Sequence, residues 1–535
     1  MKYLIYIILA GAILITTVSC KKFLKEKPEG FIRTDEFYNT ESDALNALSA
    51  TYYLLNAGGN TVQTPYNTLF NTGLNFMCDD EFPGPGATNP DVRSMAVLLH
   101  NSTNLRVYEL WQQHYAAVRK ANLVLEKVPS IAMNVDLKNR ILAEAKFLRA
   151  LYYFNLVRLF GDIPLVLEPQ YGISSTDYVV DETPSVKVYE QIERDLREAS
   201  RVLPVTYASP NVGRATKGAA LALLSKVYLT KASHPLNLTS FYQDAVATAD
   251  SIILNIGKYG YDLQPNYANV FLPQFKNNSE HIFSAQFKSA TGTTYQTQGN
   301  FQNSRSIKTS VPGISGLYAD QVWFYNQADP SKPDGVDHFF SVFKLYKPID
   351  KRRDVTFVTG YLAANPNTGK KQIYGALNNP QIKGSNLDSV PYFNKTWDPS
   401  STAITSESAA NVAIIRYAEL LLIQAEAENE LNGPSAKAYN SLNKVRGRAG
   451  LPDLGQGLSQ SQFRDSLYLD RRLELVFEYH RWFDLVRQKD ASGANIFVKT
   501  LQAVGKINAQ EIHRLHPIPQ NEIQLNPKLT QNPGY

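Results

Sequence analysis

Cysteine is nearly absent. The 535 residues contain Cys20 and Cys78 and no other, so at most one intramolecular disulfide is possible and the chain must be held mainly by burial, which a length of this order permits. Charge of one sign is missing too: 54 basic and 49 acidic residues, interleaved, leave a formal net charge of +5. That excludes the concentrated basic face of a nucleic-acid binder. No apolar run reaches the roughly 18 residues of a spanning helix. G-x-G-x-x-G, G-x-S-x-G and H-E-x-x-H are all absent, so nothing points to dinucleotide binding, an esterase-type serine or a zinc protease. His513 and His516 have an i, i+3 spacing that could hold a metal, but Pro517 follows and no third ligand motif is evident. No metal or other cofactor is expected.

What is present begins at the N-terminus. One basic residue, Lys2, precedes an apolar run from Tyr3 to about Ile15 and then Thr16-Thr17-Val18-Ser19-Cys20, the anatomy of a signal peptide over residues 1–19. A Cys after a small residue at the end of such a run resembles a lipobox, whose thiol is acylated and becomes the first mature residue. Cys20 is therefore the expected lipid site, with residues 20–30 as a tether carrying Lys21, Lys22, Lys25 and Lys27. The chain would be anchored to a membrane without spanning it. The plainer alternative is a secreted protein with a chance Cys near its cleavage site. With Cys20 acylated no intramolecular disulfide remains, and Cys78 reads as a small buried hydrophobe.

Helical ladders fill much of the remainder. One runs from Phe37 to Tyr53, and a second, from about Asn104 to Val128, aligns Trp111, Tyr115, Val118, Asn122 and Leu125. The segment AEAKFLRALYYFNLVRLF is apolar on more than one side and stops at Gly161-Asp162-Ile163-Pro164, so several neighbours should bury it. Thr183-Pro184 offers an N-cap and a first-turn proline to a helix aligning Tyr189, Ile192, Leu196, Ala199 and Leu203. A further helix from near Thr216 carries Ala219, Ala220 and Ala222, small residues that allow close approach, and Tyr242, Ala245, Ala249, Ile252 and Ile256 continue the theme. Paired helices of this kind predict a mainly α, tetratricopeptide-like scaffold, although no 34-residue consensus is evident. Between about residues 262 and 410 the ladders fade into Asn, Gly, Ser, Thr and Pro with aromatics, a loop-rich lobe with short strands. A single domain over 31–535 is expected, with scaffold at about 31–261 and 411–535 and the variable lobe between.

In the last third, RRLELVFEYHRWFDLVR, from Arg471 to Arg487, reads as one continuous helix with an apolar stripe of Leu475, Tyr479, Trp482 and Val486. Glu474, Glu478 and Arg481 recur on another face, and Asp484 lies three residues from both Arg481 and Arg487, so ion pairs should run along the helix and fix the fold rather than perform chemistry. The tail LHPIPQNEIQLNPKLTQNPGY follows. These segments resemble the E-G-x-R-x-x-D-L-x-R and P-I-P-x-x-E…Q-N-P-G-Y patterns of the SusD/RagB family. Tyr479 stands where that family usually has Gly, a change a helix would accept. FLKEKPEGF, AEAKFLRALYYFNLVRLFGDIPLV, GRATKGAALALLSKVYL, IRYAELLLIQAEAENE and LNKVRGRAGLP resemble further family blocks in the same order. The resemblance implies an outer-membrane lipoprotein that faces the exterior, binds an oligosaccharide or other nutrient without catalysis, and serves a SusC-like TonB-dependent transporter as its lid.

A sugar presents hydroxyls at its rim and C–H patches on its faces, so its site needs flat aromatics and planar polar groups. In the lobe, Trp323, Tyr325, Tyr295 and Trp397 are the candidates, with Tyr392 nearby; alternation would put Trp323 and Tyr325 on one side of an extended run. The family's site is formed by an N-terminal loop and the irregular lobe, which directs attention to NFMCDDEFPGPG and there to Asp80 and Phe82, beside Asp79 and Glu81. Each aromatic has core packing as its ordinary alternative, and Trp111 and Trp482, on helical ladders, are assigned to the core. The rival functions are a helical glycosidase, which needs two carboxylates facing each other across the substrate rather than adjacent in one loop, and a helical-repeat adaptor that binds only protein.

Overall fold

The computed structural model describes residues 37–57, 63–84, 87–171, 179–288, 323–324, 340–358, 360–364, 371–375, 392–398, 400 and 407–535. Side chains that accept from free backbone N–H groups start most of the long helices. Thr40 and Asp43 form a capping box before α1, Glu41–Asn56. Asn104 caps α2, Leu105–Lys127, and Asn134 caps α3, Val135–Phe160. Helix α4 is Ser185–Val202; Thr216 caps α5, Lys217–Ala232; and α6 is Phe241–Ile253. After the lobe come α7, Tyr417–Asn432, and α8, Ala436–Arg448, capped by Ser435. A Ser459–Gln462 capping box begins α9, Gln460–Leu475, and α10 is Arg481–Arg487. At α4 the expected Thr183 cap is not used: Pro184 occupies the cap position, and Asp162 from the preceding turn accepts from the Ser185 N–H at 2.7 Å.

From α2 to α8 each helix packs on the next, including α6 on α7, so the lobe is an insertion between consecutive members of the array. Helix α3 is buried on all sides from Phe147 to Val157, as its all-round apolar sequence requires. Ala219, Ala220 and Ala222 are fully buried in α5, and at Gly218 a Cβ would lie 2.5 Å from the Tyr261 hydroxyl, so the close approach there depends on glycine. The array is the tetratricopeptide-like scaffold the ladders predict. Where the lobe leaves and returns, β1, His281–Ala285, pairs antiparallel with β2, Val412–Arg416. Within the lobe Gly360–Ala364 pairs with Lys371–Gly375, and Phe357–Val358 with Tyr392–Phe393.

The C-terminal signature is not one helix. Helix α9 ends at Leu475 and α10 starts at Arg481; between them Phe477 and Tyr479 have φ of 66° and 65°. A left-handed residue has little steric penalty only as glycine, which is why glycine suits position 479 and why tolerance of Tyr by a helix was the wrong reason. Tyr479 holds its place by packing, with ring centroids 6.4 Å from Tyr66 and 5.8 Å from Phe70.

The break is made by the lobe. The last carbonyls of a helix lack internal partners, and here side chains supply them: Tyr346 Oη donates to Leu473 O at 2.6 Å, and Tyr267 Oη, Lys395 Nζ and Arg416 Nη2 all donate to Glu474 O. Lys395 Nζ also reaches Val476 O at 2.9 Å. The side chains of the same turn carry the charge. Arg416, the last residue of β2, binds Glu280 at 2.7 Å, Glu474 at 2.6 Å and Glu478 at 2.7 Å. Arg448 joins Glu280 to Glu474, Lys395 binds Glu478, and Arg352 binds Asp350, Asp470 and Glu474, with Arg446 also on Asp470. Five cations thus meet five carboxylates, and only this balance makes burial of so much charge tolerable.

Two outcomes follow for stability. Arg416→Met should cost about 3–5 kcal/mol in urea unfolding, because it strands buried carboxylates, while Arg353→Met, whose carboxylate partner Asp354 is exposed, should change it by less than about 0.5 kcal/mol. Tyr479→Gly relieves about 1–2 kcal/mol of left-handed strain but deletes an aromatic worth about 3–5 kcal/mol, so the variant should be less stable by about 2 kcal/mol, and equal or greater stability would refute the packing account.

Candidate functional site

The two segments expected to form the site are both fastened to the α9–α10 junction. The N-terminal loop follows a short helix, Phe70–Gly73, and a single turn, Asn75–Met77. It then turns its acids inward: Asp79, Asp80 and Glu81 are 0, 2 and 0% exposed. Asp79 receives both Nε and Nη2 of Arg481 at 2.8 Å and Arg472 at 2.8 Å, and Asp80 Oδ1 receives Arg472 Nε at 2.8 Å and Nη2 at 2.6 Å. Arg481 therefore bonds across the fold to Asp79 rather than along its helix to Asp484, which pairs instead with Arg471 and Arg487.

This arrangement removes Asp80 from the expected ligand set. Its carboxylate is buried and committed to Arg472, so it cannot serve a sugar at the surface. Burial raises the Asp80 pKa above its ordinary 3.8, with Arg472 opposing and Asp79 adding to the rise. Phe82, next along the loop, is half-buried on Phe76, Val92 and Ala96, with the Arg93 guanidinium 5.9 Å and Lys506 Nζ 5.2 Å from its ring. Arg93 also clasps the loop backbone, donating to Ala87 O at 2.7 Å and Pro83 O at 3.2 Å. Cys78 is 1% exposed and its thiol pKa is pushed well up by burial and by Asp79 and Asp80, in keeping with a buried hydrophobe.

On the lobe side, Trp397 is partly buried in the turn after Tyr392–Phe393, its N–H donating to Asn394 O at 2.9 Å. Lys395, two residues before it, is pinned to Glu478 and to the α9 carbonyls, while Asp398, just after it, accepts from Ser400 N and Ala409 N. Trp397 is thus held on both sides. Trp323 is placed by its backbone, in Trp323–Phe324 paired with Phe340–Ser341. Tyr295, Tyr325, Cys20, the signal peptide and the tether lie outside the described residues.

Sequence reasoning missed Arg472 and Arg481 as the residues that position the loop, and Arg352, Lys395 and Arg416 as those that position the lobe. The only signal was the recurrence of charge on a segment that also needed an apolar face. His513 and His516 meet His100, with ring centroids 5.7 and 5.4 Å away. Burial lowers all three, His516 to about 3, and among the described residues no group of three His, Cys, Asp or Glu side chains could hold a metal.

Acid should release these clamps. Burial alone would raise Asp79 and Asp484, but Arg472 with Arg481, and Arg471 with Arg487, outweigh it and bring each to about 2. Glu474 is likewise held well below the ordinary carboxylate range by Arg448, Arg416 and Arg352. A carboxylate whose pKa is depressed on folding stabilises the native state above its unfolded value, and that contribution is lost as pH falls through the folded value. Asp80, shifted the other way, partly offsets this. Unfolding free energy measured in urea should therefore fall between about pH 4 and pH 2, and a flat profile across that window would contradict the assignment.

Comparison with known proteins agrees with this geometry. A family profile described as "SusD family" matches residues 279–535, and one described as "Starch-binding associating with outer membrane" matches residues 88–229. "SusD-like protein P2" of Formosa agariphila is 28% identical over 541 residues, covering 98% of each chain. A SusD homolog from Bacteroides thetaiotaomicron has a TM-score of 0.73 at 27% identity, covering 94% of this chain and 98% of its own. A laminarin-binding SusD-like protein has a TM-score of 0.69 at 28% identity, covering 93% and 100%. With two profiles and full-length relatives in agreement, the chain belongs to the SusD/RagB family.

Proposed function

We propose that this protein captures an oligosaccharide at the cell surface and delivers it to a SusC-like TonB-dependent transporter of the outer membrane, without breaking a bond. The observation that carries the reading is the end-to-end likeness to a SusD-like protein that binds laminarin, which spans scaffold and lobe alike. Further support comes from the ion pairs: the N-terminal loop and the segment of the lobe around Lys395 are both locked onto one junction, so Phe82 and Trp397 are held in place before a ligand arrives, which limits the ordering cost of binding. Trp323, Tyr325, Tyr295 and Trp397 would supply the platforms from the lobe, and Phe82 the edge from the loop. The adjacent carboxylates of the loop are engaged by Arg472 and Arg481, an arrangement suited to holding a loop in place. Among the described residues no helix is long and apolar enough to cross a membrane; acylation of Cys20 would keep the protein at the outer membrane, and a transporter would provide the pore.

An affinity-gel series with laminarin and other polysaccharides tests this on the mature protein. Binding to at least one glycan is expected, with no new reducing ends after prolonged incubation. Alanine at Trp323, Tyr325 or Trp397 should weaken it about thirtyfold where the ring is a main platform, at an unchanged melting temperature. Cys20→Ala should free the protein from membranes, and the anchored form should co-purify with a large β-barrel. Retention by no glycan would favour a protein-binding adaptor, and new reducing ends would favour a glycosidase.

A further inference from the structure

A cavity of about 690 Å3 lies between the C-terminal end of α3, helices α5 and α10, and the C-terminal tail, within the size range of small-molecule sites. Exposed Asp162, Glu511 and Thr530 stand at its rim, and buried Arg471, His480 and Asp484 at its depth. Leu229, Leu236, Phe483 and Leu515 give it apolar walls.

One cation of its lining is left out of the salt bridges. Arg158, Lys226, Arg471 and Arg487 line it. Lys226 and Arg471 share Glu419, Arg471 and Arg487 share Asp484, and Arg487 also binds Glu426. Three of these cations thus meet three carboxylates, and Arg158 is left over. Among the described residues Arg158 makes no salt bridge, although Glu419 and Asp484 lie within electrostatic reach; its guanidinium is flanked by Phe154 and Phe483 at 3.8 and 3.7 Å from their centroids, with Nε on Phe154 O and Nη2 on Asn155 Oδ1. Arg471, whose side chain is 3% exposed, has an Nη1 without a hydrogen-bond partner. His480 adds no charge, because burial, then Lys226 and Arg471, depress its pKa well below the ordinary value. At the exposed or partly exposed rim Glu511 pairs with Arg514, while Asp162 and Glu182 accept only from the backbone N–H groups of Ser185 and Thr530 and keep their charge. A half-buried guanidinium outside the salt bridges, and an unmatched guanidinium N–H on the same cavity lining, are suited to an anion that arrives from outside.

We propose that this cavity is a second ligand site, distinct from the glycan surface, which takes a small organic monocarboxylate with a flat apolar body. The carboxylate pairs with Arg158 in the field of Lys226 and Arg471, and the body lies against Phe483 and the leucines. The class follows from the site: a guanidinium outside the salt bridges calls for an anion, and apolar walls favour a ring or short chain over a polyhydroxylated sugar.

The probe is 2-naphthoate, with the uncharged 2-naphthalenemethanol as its control, titrated calorimetrically into the mature protein. Saturable binding of the acid is expected, with the alcohol at least tenfold weaker. Arg158→Gln should weaken the acid at least tenfold. Thr230→Trp, which fills the cavity wall without removing an ion pair, should abolish binding at an unchanged melting temperature, and it decides the matter if Arg158→Gln fails to fold. Burial, with Arg158 and Arg471, lowers Lys226 to about 8 against the pull of Glu419, so affinity for the acid should drop between pH 7 and 9 while that of the alcohol stays level. Equal affinity for acid and alcohol, undiminished binding in Thr230→Trp, or saturation by chloride alone with no gain from the naphthyl ring would each overturn the proposal. Glycan retention, measured alongside, should be the same in Thr230→Trp as in the parent, so failure here and failure of the glycan reading are read separately.

Discussion

Glu474 and Glu478, buried where α9 gives way to α10, are the constraint on which the architecture turns. Two carboxylates in a protein interior are intolerable without counter-charge, and here the counter-charge is drawn from three regions distant in sequence: Arg352 and Lys395 from the lobe, Arg416 from the strand that ends it, and Arg448 from the scaffold. Two of these groups, Lys395 and Arg416, join Tyr267 and Tyr346 in donating to the helix's terminal carbonyls of Leu473 and Glu474. Ending the helix and docking the lobe therefore draw on the same side chains.

The far side of the junction repeats the device with the signs exchanged. Arg472 and Arg481 are supplied by the helices, and the acids Asp79 and Asp80 by the N-terminal loop. Two surface segments separated by some three hundred residues are thus aimed by a stretch of ten, from Arg472 to Arg481. Variation elsewhere in the loop or lobe can alter what is bound while the clamps hold the frame, an economical basis for a binding family in which scaffold motifs recur and ligands differ.

Helices were legible because an amphipathic ladder records its own burial. The helix starts near Asn104 and Thr216 and the all-round apolar α3 were readable as local facts, whereas the one cap expected, Thr183, is not used. The signature segment was misleading for a specific reason: its apolar residues fall at helical spacing on both sides of the break, so periodicity passes straight through Phe477 and Tyr479. Nothing local marks a left-handed Tyr, because its backbone strain is offset by Tyr66 and Phe70, which lie some four hundred residues away.

The sequence by itself determined the class of scaffold and the family, since these rest on periodicity and short motifs, each contained within a few turns of chain. Tertiary structure alone decided what the charges do. An Asp in a loop beside a Phe looks like a ligand for sugar hydroxyls until Arg472 is found against it, and the Glu residues of α9 look like solvated helix charges until Arg416 is. The physical reason is that a carboxylate's role depends on the dielectric around it and on the nearest cation, and both are set by residues far along the chain.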